Sequence, residues 1–358
     1  MKIVVDAMCA EYGGIRTYVD HLLGRWSAVH PEDELHVVVP AGSSHDTAGH
    51  VRHELRVRKP STVGRPMAQT GAMHRLIRRL EPDVVLATVP STTVRRPAAP
   101  LVVVILDLRH ELRPEQFTRG RRLLRHVSYG RTYALADGFL SISQRSLDDL
   151  HALHADTRDK PAAVTHLGAD HVLRWPEPSR RGPSVAFAHH TNKNPDLILD
   201  AWALLAGRDE PVPPLMMLGV TGARRERLGG IIAERSLTEH VTLAPFLPDD
   251  EFQRVLASAD TIVFPSDFEG FGLPVVEGMA LGKPIVIGPE TATMEVADGH
   301  AVVMNDWSAA SLADAMVRAI GLPDDTLELA RAWGASFTWD RTVGQTREML
   351  RAVATARS

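Results

Sequence analysis

The sequence predicts an α/β protein of two doubly wound, Rossmann-like domains. Short, continuous apolar runs alternate with longer amphipathic stretches, the pattern of parallel strands covered by helices on both faces. The alternation stops at Arg174-Trp-Pro-Glu-Pro-Ser-Arg-Arg-Gly-Pro183, whose three prolines, glycine and charges read as a linker, and then begins again. A chain of 358 residues also suits two cores of ordinary size better than one.

In the first half, strands are expected over 2–6, 35–39, 83–87, 101–106, 138–142 and 162–165. Gly13-Gly14 reads as a tight turn before a helix over 15–27, and further helices are expected over 68–80, 119–135 and 144–154. In the second half, strands are expected over 185–188, 215–218, 241–243 and 261–264, with helices over 195–205, 224–235 and 249–257. Residues 339–353 form one amphipathic helix. Two such sheets facing each other would leave a cleft lined by strand C-termini, where ligands bind in open α/β sheets.

Composition narrows the function classes. Apolar residues make up 44% and charged residues 23%, as in an ordinary globular protein. No apolar run approaches the ~20 residues of a membrane-spanning helix. Met1-Lys-Ile-Val-Val-Asp6 enters a strand pattern without a signal-peptide core, which predicts a cytoplasmic protein. The single cysteine, Cys9, rules out an internal disulfide. Aromatic content of 5% gives no stacking platform for nucleic acid. Charge is uneven: residues 1–174 carry 24 Lys+Arg against 19 Asp+Glu, a balance of +5, and residues 175–358 carry 16 against 25, a balance of −9. That asymmetry predicts peripheral contact of the N-terminal half with an anionic surface; solvated helix faces would leave the same trace.

The most informative run is Glu269-Gly-Phe-Gly-Leu-Pro-Val-Val-Glu277. It follows an apolar strand and leads into a helical stretch. Gly270 and Gly272 leave the backbone bare for close approach of a ligand, and Pro274 suits a first helical turn. The amides of Phe271, Gly272 and Leu273 then form a helix N-terminus suited to a phosphate. Glu269 before it and Glu277 one turn inside it offer carboxylates to hydroxyl groups. A phosphate flanked by hydroxyls is a sugar nucleotide.

This run resembles the Glu-x7-Glu signature of the retaining glycosyltransferases of the GT-B fold, in particular glycosyltransferase family 4, and the likeness extends over residues 266–286. The resemblance implies an N-terminal acceptor-binding domain over 1–174, a linker over 175–183, a nucleotide-sugar-binding domain over 184–336, and a C-terminal helix over 337–358 that crosses back to the first domain. It implies a hexosyltransferase whose donor is a nucleoside-diphosphate sugar of the UDP or GDP type and whose acceptor is a hydroxyl compound. Glu277 would hold the ribose, Glu269 a sugar hydroxyl, and residues 270–273 the sugar and diphosphate. Lys193, in His189-His-Thr-Asn-Lys-Asn194, resembles the family lysine that meets the diphosphate, with Thr191 beside it. Gly14 and Arg16 belong to a loop similar to the family's first glycine loop.

Two departures from the family pattern stand out. Phe187 and Ala188 occupy the place of the diphosphate arginine, for which His189 or His190 would substitute. Leu106 replaces the histidine that contacts the donor sugar. His110 is the expected replacement, both as a catalytic residue beside Glu269 and Lys193 and, with Asp107 and Arg109, as part of the acceptor side. The chain has no Asp-x-Asp motif, so a metal-independent enzyme without a cofactor is expected. A catalytically silent sugar-nucleotide-binding subunit and a sugar-nucleotide epimerase of the same fold are the alternatives.

Overall fold

The computed structural model describes residues 1–10, 13–59, 61–208 and 211–356. The chain divides into two units, Met1–Gly168 with Trp339–Ser358, and Ala169–Thr338. Each is built on one fully parallel sheet with helices around it, which gives the two Rossmann-like domains that the sequence predicts.

In the first unit the strands are β1 (Lys2–Asp6), β2 (Glu34–Pro40), β3 (Val51–Leu55), β4 (Val84–Ala87), β5 (Leu101–Ile105), β6 (Gly138–Ser141) and β7 (Ala162–Val164), in the spatial order 3-2-1-4-5-6-7. The helices are α1 (Gly13–Val29), α2 (Ser61–Ala68), α3 (His74–Leu80), α4 (Arg109–Leu112), α5 (Arg119–Leu135) and α6 (Gln144–Leu153). Strands β4 and β5 are wholly apolar and buried, and β1 is apolar and buried between Lys2 and Asp6, as expected of a sheet covered on both faces.

In the second unit the strands are β8 (Ser184–Phe187), β9 (Leu215–Leu218), β10 (Val241–Leu243), β11 (Ile262–Phe264), β12 (Ile285–Ile287) and β13 (Val302–Val303), in the order 10-9-8-11-12-13. Around them lie α7 (Pro195–Ala206), α8 (Gly222–Glu234), α9 (Asp249–Ser258), α10 (Leu273–Ala280), α11 (Thr291–Ala297), α12 (Ala309–Ile320) and α13 (Asp324–Ala335). The last helix, α14 (Trp339–Ala356), belongs to the first unit. Trp339 stacks on His21 with ring centroids 4.9 Å apart, and Arg347 Nε donates to Asp33 Oδ2 at 2.6 Å. Gly138 makes room for it: a methyl there would lie 2.8 Å from Met349 Cε and Val353 Cγ2.

Several elements differ from the sequence expectation. β3, Val-Arg-His-Glu-Leu, is a half-exposed edge strand whose polar residues hide the strand signal. The single helix expected over 68–80 is α2, a π-turn over Gln69–Met73, and α3. The boundary between units lies at Gly168/Ala169, not after residue 174. The expected linker 175–183 packs within the second unit: Ser179 N donates to Ala257 O at 2.8 Å, and the buried Lys283 Nζ donates to Ser179 O and, at 2.5 Å, to Ala257 O. Its prolines mark an irregular path without making it a free connection.

Helix α13 packs against α10 through Gly334, where a methyl would lie 2.4 Å from Ala280 N. Gly334→Ala is expected to lower stability by about 1–3 kcal/mol through overpacking against backbone. Gly344→Ala, in α14 with open space around it, should be neutral or stabilising by up to about 1 kcal/mol. Urea unfolding of both variants checks the contrast.

Candidate functional site

The strand order reverses between β8 and β11, and β8 pairs directly with β11. Loops leaving two such neighbours diverge and open a crevice at their carboxyl ends. The loop after β8 carries Lys193, and the loop after β11 carries Glu269. The two loops are stitched together. Asn192 Nδ2 donates to Phe268 O at 2.9 Å, Asp267 N to Asn192 O at 3.0 Å, and Asn194 Nδ2 to Pro265 O at 2.9 Å. Asn194 takes the left-handed conformation, φ 50°, tolerable for Asn, and so turns the chain into α7.

The result is a close ion pair, Lys193 Nζ to Glu269 Oε1 at 2.5 Å. Asn192 Nδ2 adds a 3.2 Å bond to the same oxygen, and the Lys193 ammonium sits 4.1 Å from the centre of the Phe264 ring. Lys193 is buried between that carboxylate and the ring. Gly272, φ 102°, turns the chain into α10, with Pro274 in its first turn. Gly272 also lies against the next loop: a methyl there would meet Thr293 Cγ2 at 3.1 Å. The amide of that Thr293 is held by Glu290 Oε2 at 2.9 Å, capping α11. Phe271 is buried, its ring 6.1 Å from that of Phe337.

Glu277 is buried one turn into α10, and His171 Nε2 lies 3.0 Å from its Oε1. His171 belongs to a 3-10 turn over Asp170–Arg174, and its ring meets Trp175 edge-on at 5.5 Å. This pairing has no local sign in the sequence, because the partners are 106 residues apart in the chain. Asn192 carries no such sign either, standing between Thr191 and the charged Lys193.

The remaining candidates fall into two groups. His189, half-buried, lies against Phe246, while His190 and Thr191 are exposed at the start of the 3-10 turn that ends in Lys193. In the first unit, Gly14 is not in a separate turn: α1 starts at Gly13, φ 61°, and Gly14 is in its first turn. Arg16 is exposed, with Nε 3.3 Å from Asp20 Oδ2. Asp107 Oδ1 accepts from Arg109 N at 2.9 Å, closing a turn before α4, and Arg109 lies 5.9 Å from the Phe117 ring.

The expectation for His110 needs correction. Its side chain is 1% exposed, too deep to meet a sugar as it stands. Its ring meets Tyr129 edge-on at 4.7 Å, and its Nε2 lies 3.2 Å from Glu111 Oε1, off the line of a well-formed hydrogen bond. His154 Nε2 lies 3.0 Å from the same carboxylate oxygen. The helical turn of α4 rotates His110 inward, which linear spacing cannot show.

A residue the sequence reading passed over is Asp6, buried at the C-terminal end of β1, where the first sheet reverses order against β4. Its Oδ2 accepts from Thr92 Oγ1 at 2.6 Å and Gln69 Nε2 at 2.7 Å, and its Oδ1 from Met8 N at 3.1 Å. Burial raises its pKa, against the lowering effect of those bonds. The π-turn brings Gln69 to it. Among the described residues, no group of three His, Cys, Asp or Glu is placed to hold a metal ion.

Residues 184–335 match the family model described as glycosyl transferases group 1, in agreement with the likeness to glycosyltransferase family 4. A D-inositol 3-phosphate glycosyltransferase from Jonesia denitrificans is 30% identical over 174 residues, 45% of this chain and 41% of that protein. The O-antigen chain mannosyltransferase B of Escherichia coli is 29% identical over 158 residues, 43% and 41% of the two chains. The matches thus span about two fifths of these relatives. Among solved structures, Anabaena Alr3699/HepE in complex with UDP-glucose superposes over 98% of this chain and 100% of its own, with TM-score 0.76 at 17% identity. Sucrose-phosphate synthase from Thermosynechococcus elongatus covers 99% and 100%, with TM-score 0.77 at 15% identity. These likenesses show the fold.

The Glu111 carboxyl makes a pH prediction. Burial pushes its pKa up, but the two histidines around it prevail and hold it at about 2, against an ordinary 4.5. A depressed folded pKa contributes stability that is present above the ordinary value and lost as pH falls through the folded one. Unfolding midpoints should therefore drop between about pH 4.5 and 2, and Glu111→Gln should remove part of that drop while lowering stability at neutral pH. Thermal unfolding across that range checks both.

Proposed function

We propose that the chain is a retaining, metal-independent glycosyltransferase. It moves a sugar from a nucleoside-diphosphate sugar of the UDP or GDP type to a hydroxyl acceptor. The observation that carries this reading is the Lys193–Glu269 pair at the crevice beside the N-terminus of α10, with Glu277 buried one turn further along. The names of the relatives, and the UDP-glucose bound to HepE, support a nucleotide-sugar donor.

Each residue has a chemical task in this reading. The helix N-terminus attracts the diphosphate through its amides and dipole. Lys193 exchanges Glu269 for a phosphate oxygen and stabilises the charge that grows as the nucleotide leaves. Glu269, released, accepts from a sugar hydroxyl. Glu277 keeps His171 on Oε1 and offers its other oxygen to the ribose. Retention proceeds on one face of the sugar, with the departing phosphate taking the acceptor's proton, so no enzymatic nucleophile is needed. The two glutamates do not act as a glycosidase pair, because each is committed to a partner and to hydroxyl recognition. The acceptor meets the first unit.

Glu277→Ala should weaken binding of the free nucleoside diphosphate by about 1.5–3 kcal/mol, the range for lost charge-assisted hydrogen bonds. It should also erase most of the preference for UDP or GDP over the 2′-deoxy nucleotide, measured by titration calorimetry. His171→Ala should reduce that preference in part, and His171→Gln, which restores an N–H donor, should recover it. An unchanged preference in Glu277→Ala would remove Glu277 from the ribose.

Lys193→Ala should lower kcat more than donor affinity, since its charge matters most in the transition state. Donor turnover should survive a chelator. Inactivation by chelator with recovery on adding a divalent ion would overturn the metal-independent reading. Failure of the whole chain to consume any nucleotide sugar while still binding nucleotide would favour a silent binding subunit.

A further inference from the structure

The first unit carries an apolar and basic face that the proposed chemistry does not use. Residues 55–80, 84–106 and 116–136 contain no aspartate or glutamate, yet hold 14 lysines and arginines. They include α2, the loop after β4 and α5. Arg131 Nε of α5 donates to Val94 O at 3.2 Å, and Val94 N donates to Thr70 Oγ1 just beyond α2 at 3.2 Å. The three segments thus form one surface.

Large aliphatic side chains stand out from this surface. Leu123 is 66% exposed, Val127 60%, Met67 60%, Val63 49% and Val94 39%. On α5, positions 119, 123, 127 and 131 fall four residues apart on one stripe. The stripe reads Arg, Leu, Val, Arg, and all four residues are exposed. Arg122 and His126 flank it, also exposed. A shallow groove lined by Val94, Val127 and Arg131 continues it toward the loop. Large aliphatic side chains exposed side by side on one face mark an interaction site.

We propose that this face docks the first unit on an anionic lipid surface. The arginines provide attraction to acidic headgroups, and Leu123, Val127 and Met67 enter the headgroup–acyl boundary, as in a helix lying in the plane of an interface. Nucleic acid fits less well, because the protruding groups are aliphatic and offer no stacking plane. A folded protein partner would not require every charge of the face to have one sign. Among the described residues, no helix is long and apolar enough to cross a membrane, so the association is peripheral.

The test is co-sedimentation of the full chain with vesicles of phosphatidylcholine alone and of phosphatidylcholine mixed with phosphatidylglycerol. The protein is expected to partition at least about tenfold better to the acidic vesicles and to release at high salt. Leu123→Ser with Val127→Ser should reduce partitioning by about tenfold without lowering the unfolding temperature, because both side chains are exposed. Arg119→Glu with Arg122→Glu should abolish the preference for acidic lipid. Leu329→Ser, an equally exposed leucine of the second unit, should change nothing. Equal partitioning to both vesicle types would overturn the proposal. So would loss of binding in the arginine variant combined with full binding in the serine variant, which would indicate a purely electrostatic partner such as a polyanion.

Discussion

Helix α10 can lie against β11 and β12 because Gly278 has no side chain. A methyl at that position would fall 2.4 Å from Ile285 Cδ1 and 2.6 Å from Ile262 Cδ1. On the helix's other side, Gly334 lets α13 come equally close. Clamped between sheet and helix, α10 has almost no freedom to rotate or slide, since packed interiors resist small displacements. Glu277, next to Gly278, is therefore fixed by backbone packing, and Gly272, at the other end, turns the preceding loop toward β8. The positions of Glu277 and of the amides that open α10 follow from that contact, while Lys193 is placed by the bonds of Asn192 and Asn194 to the loop after β11.

Electrostatics adds a second constraint. Two carboxylates beside a helix N-terminus would bind the dipole without any ligand, but neither is left as a lone charge. Glu269 is held by Lys193 and Asn192, and Glu277 by His171. A buried charge that lacked such partners would cost several kcal/mol. The same pairs keep the side chains in place while the site is empty, so ligand hydroxyls and phosphates exchange with existing partners and need little reordering. Preorganisation of this sort is where oriented polar sites gain most.

Much of this was legible in the sequence, for physical reasons that differ by residue. Strands β1, β4, β5 and β6 announce themselves because burial on both faces demands continuous apolar runs. Pro274 and Gly272 mark the start of α10 because few other residues suit those backbone positions. What escaped depends on three-dimensional neighbours. His171 and Glu277 are 106 residues apart. His110 lies where a replacement for the missing histidine was sought, yet one turn of α4 directs it to Tyr129 and Glu111. Pro-rich residues 175–183 look like a linker until Lys283 is seen to hold them. Spacing along a chain tells which element a residue sits on, but only tertiary packing tells which way it faces.

The uneven charge of the chain acquires a structural meaning in the same way. A net balance of +5 over the first 174 residues says little by itself, since solvated helices scatter charge. The fold collects much of it. Acid-free segments far apart in sequence converge on α2, α5 and the loop between β4 and β5, while acids such as Asp6 and Glu111 are drawn inward and satisfied there. Burial of acids and display of arginines beside bare leucine and valine are two sides of one arrangement. A helix whose exposed stripe sets leucine and valine between two arginines leaves apolar area in water that an ordinary solvated face would not carry. That cost has a physical return only if something apolar and negatively charged covers it.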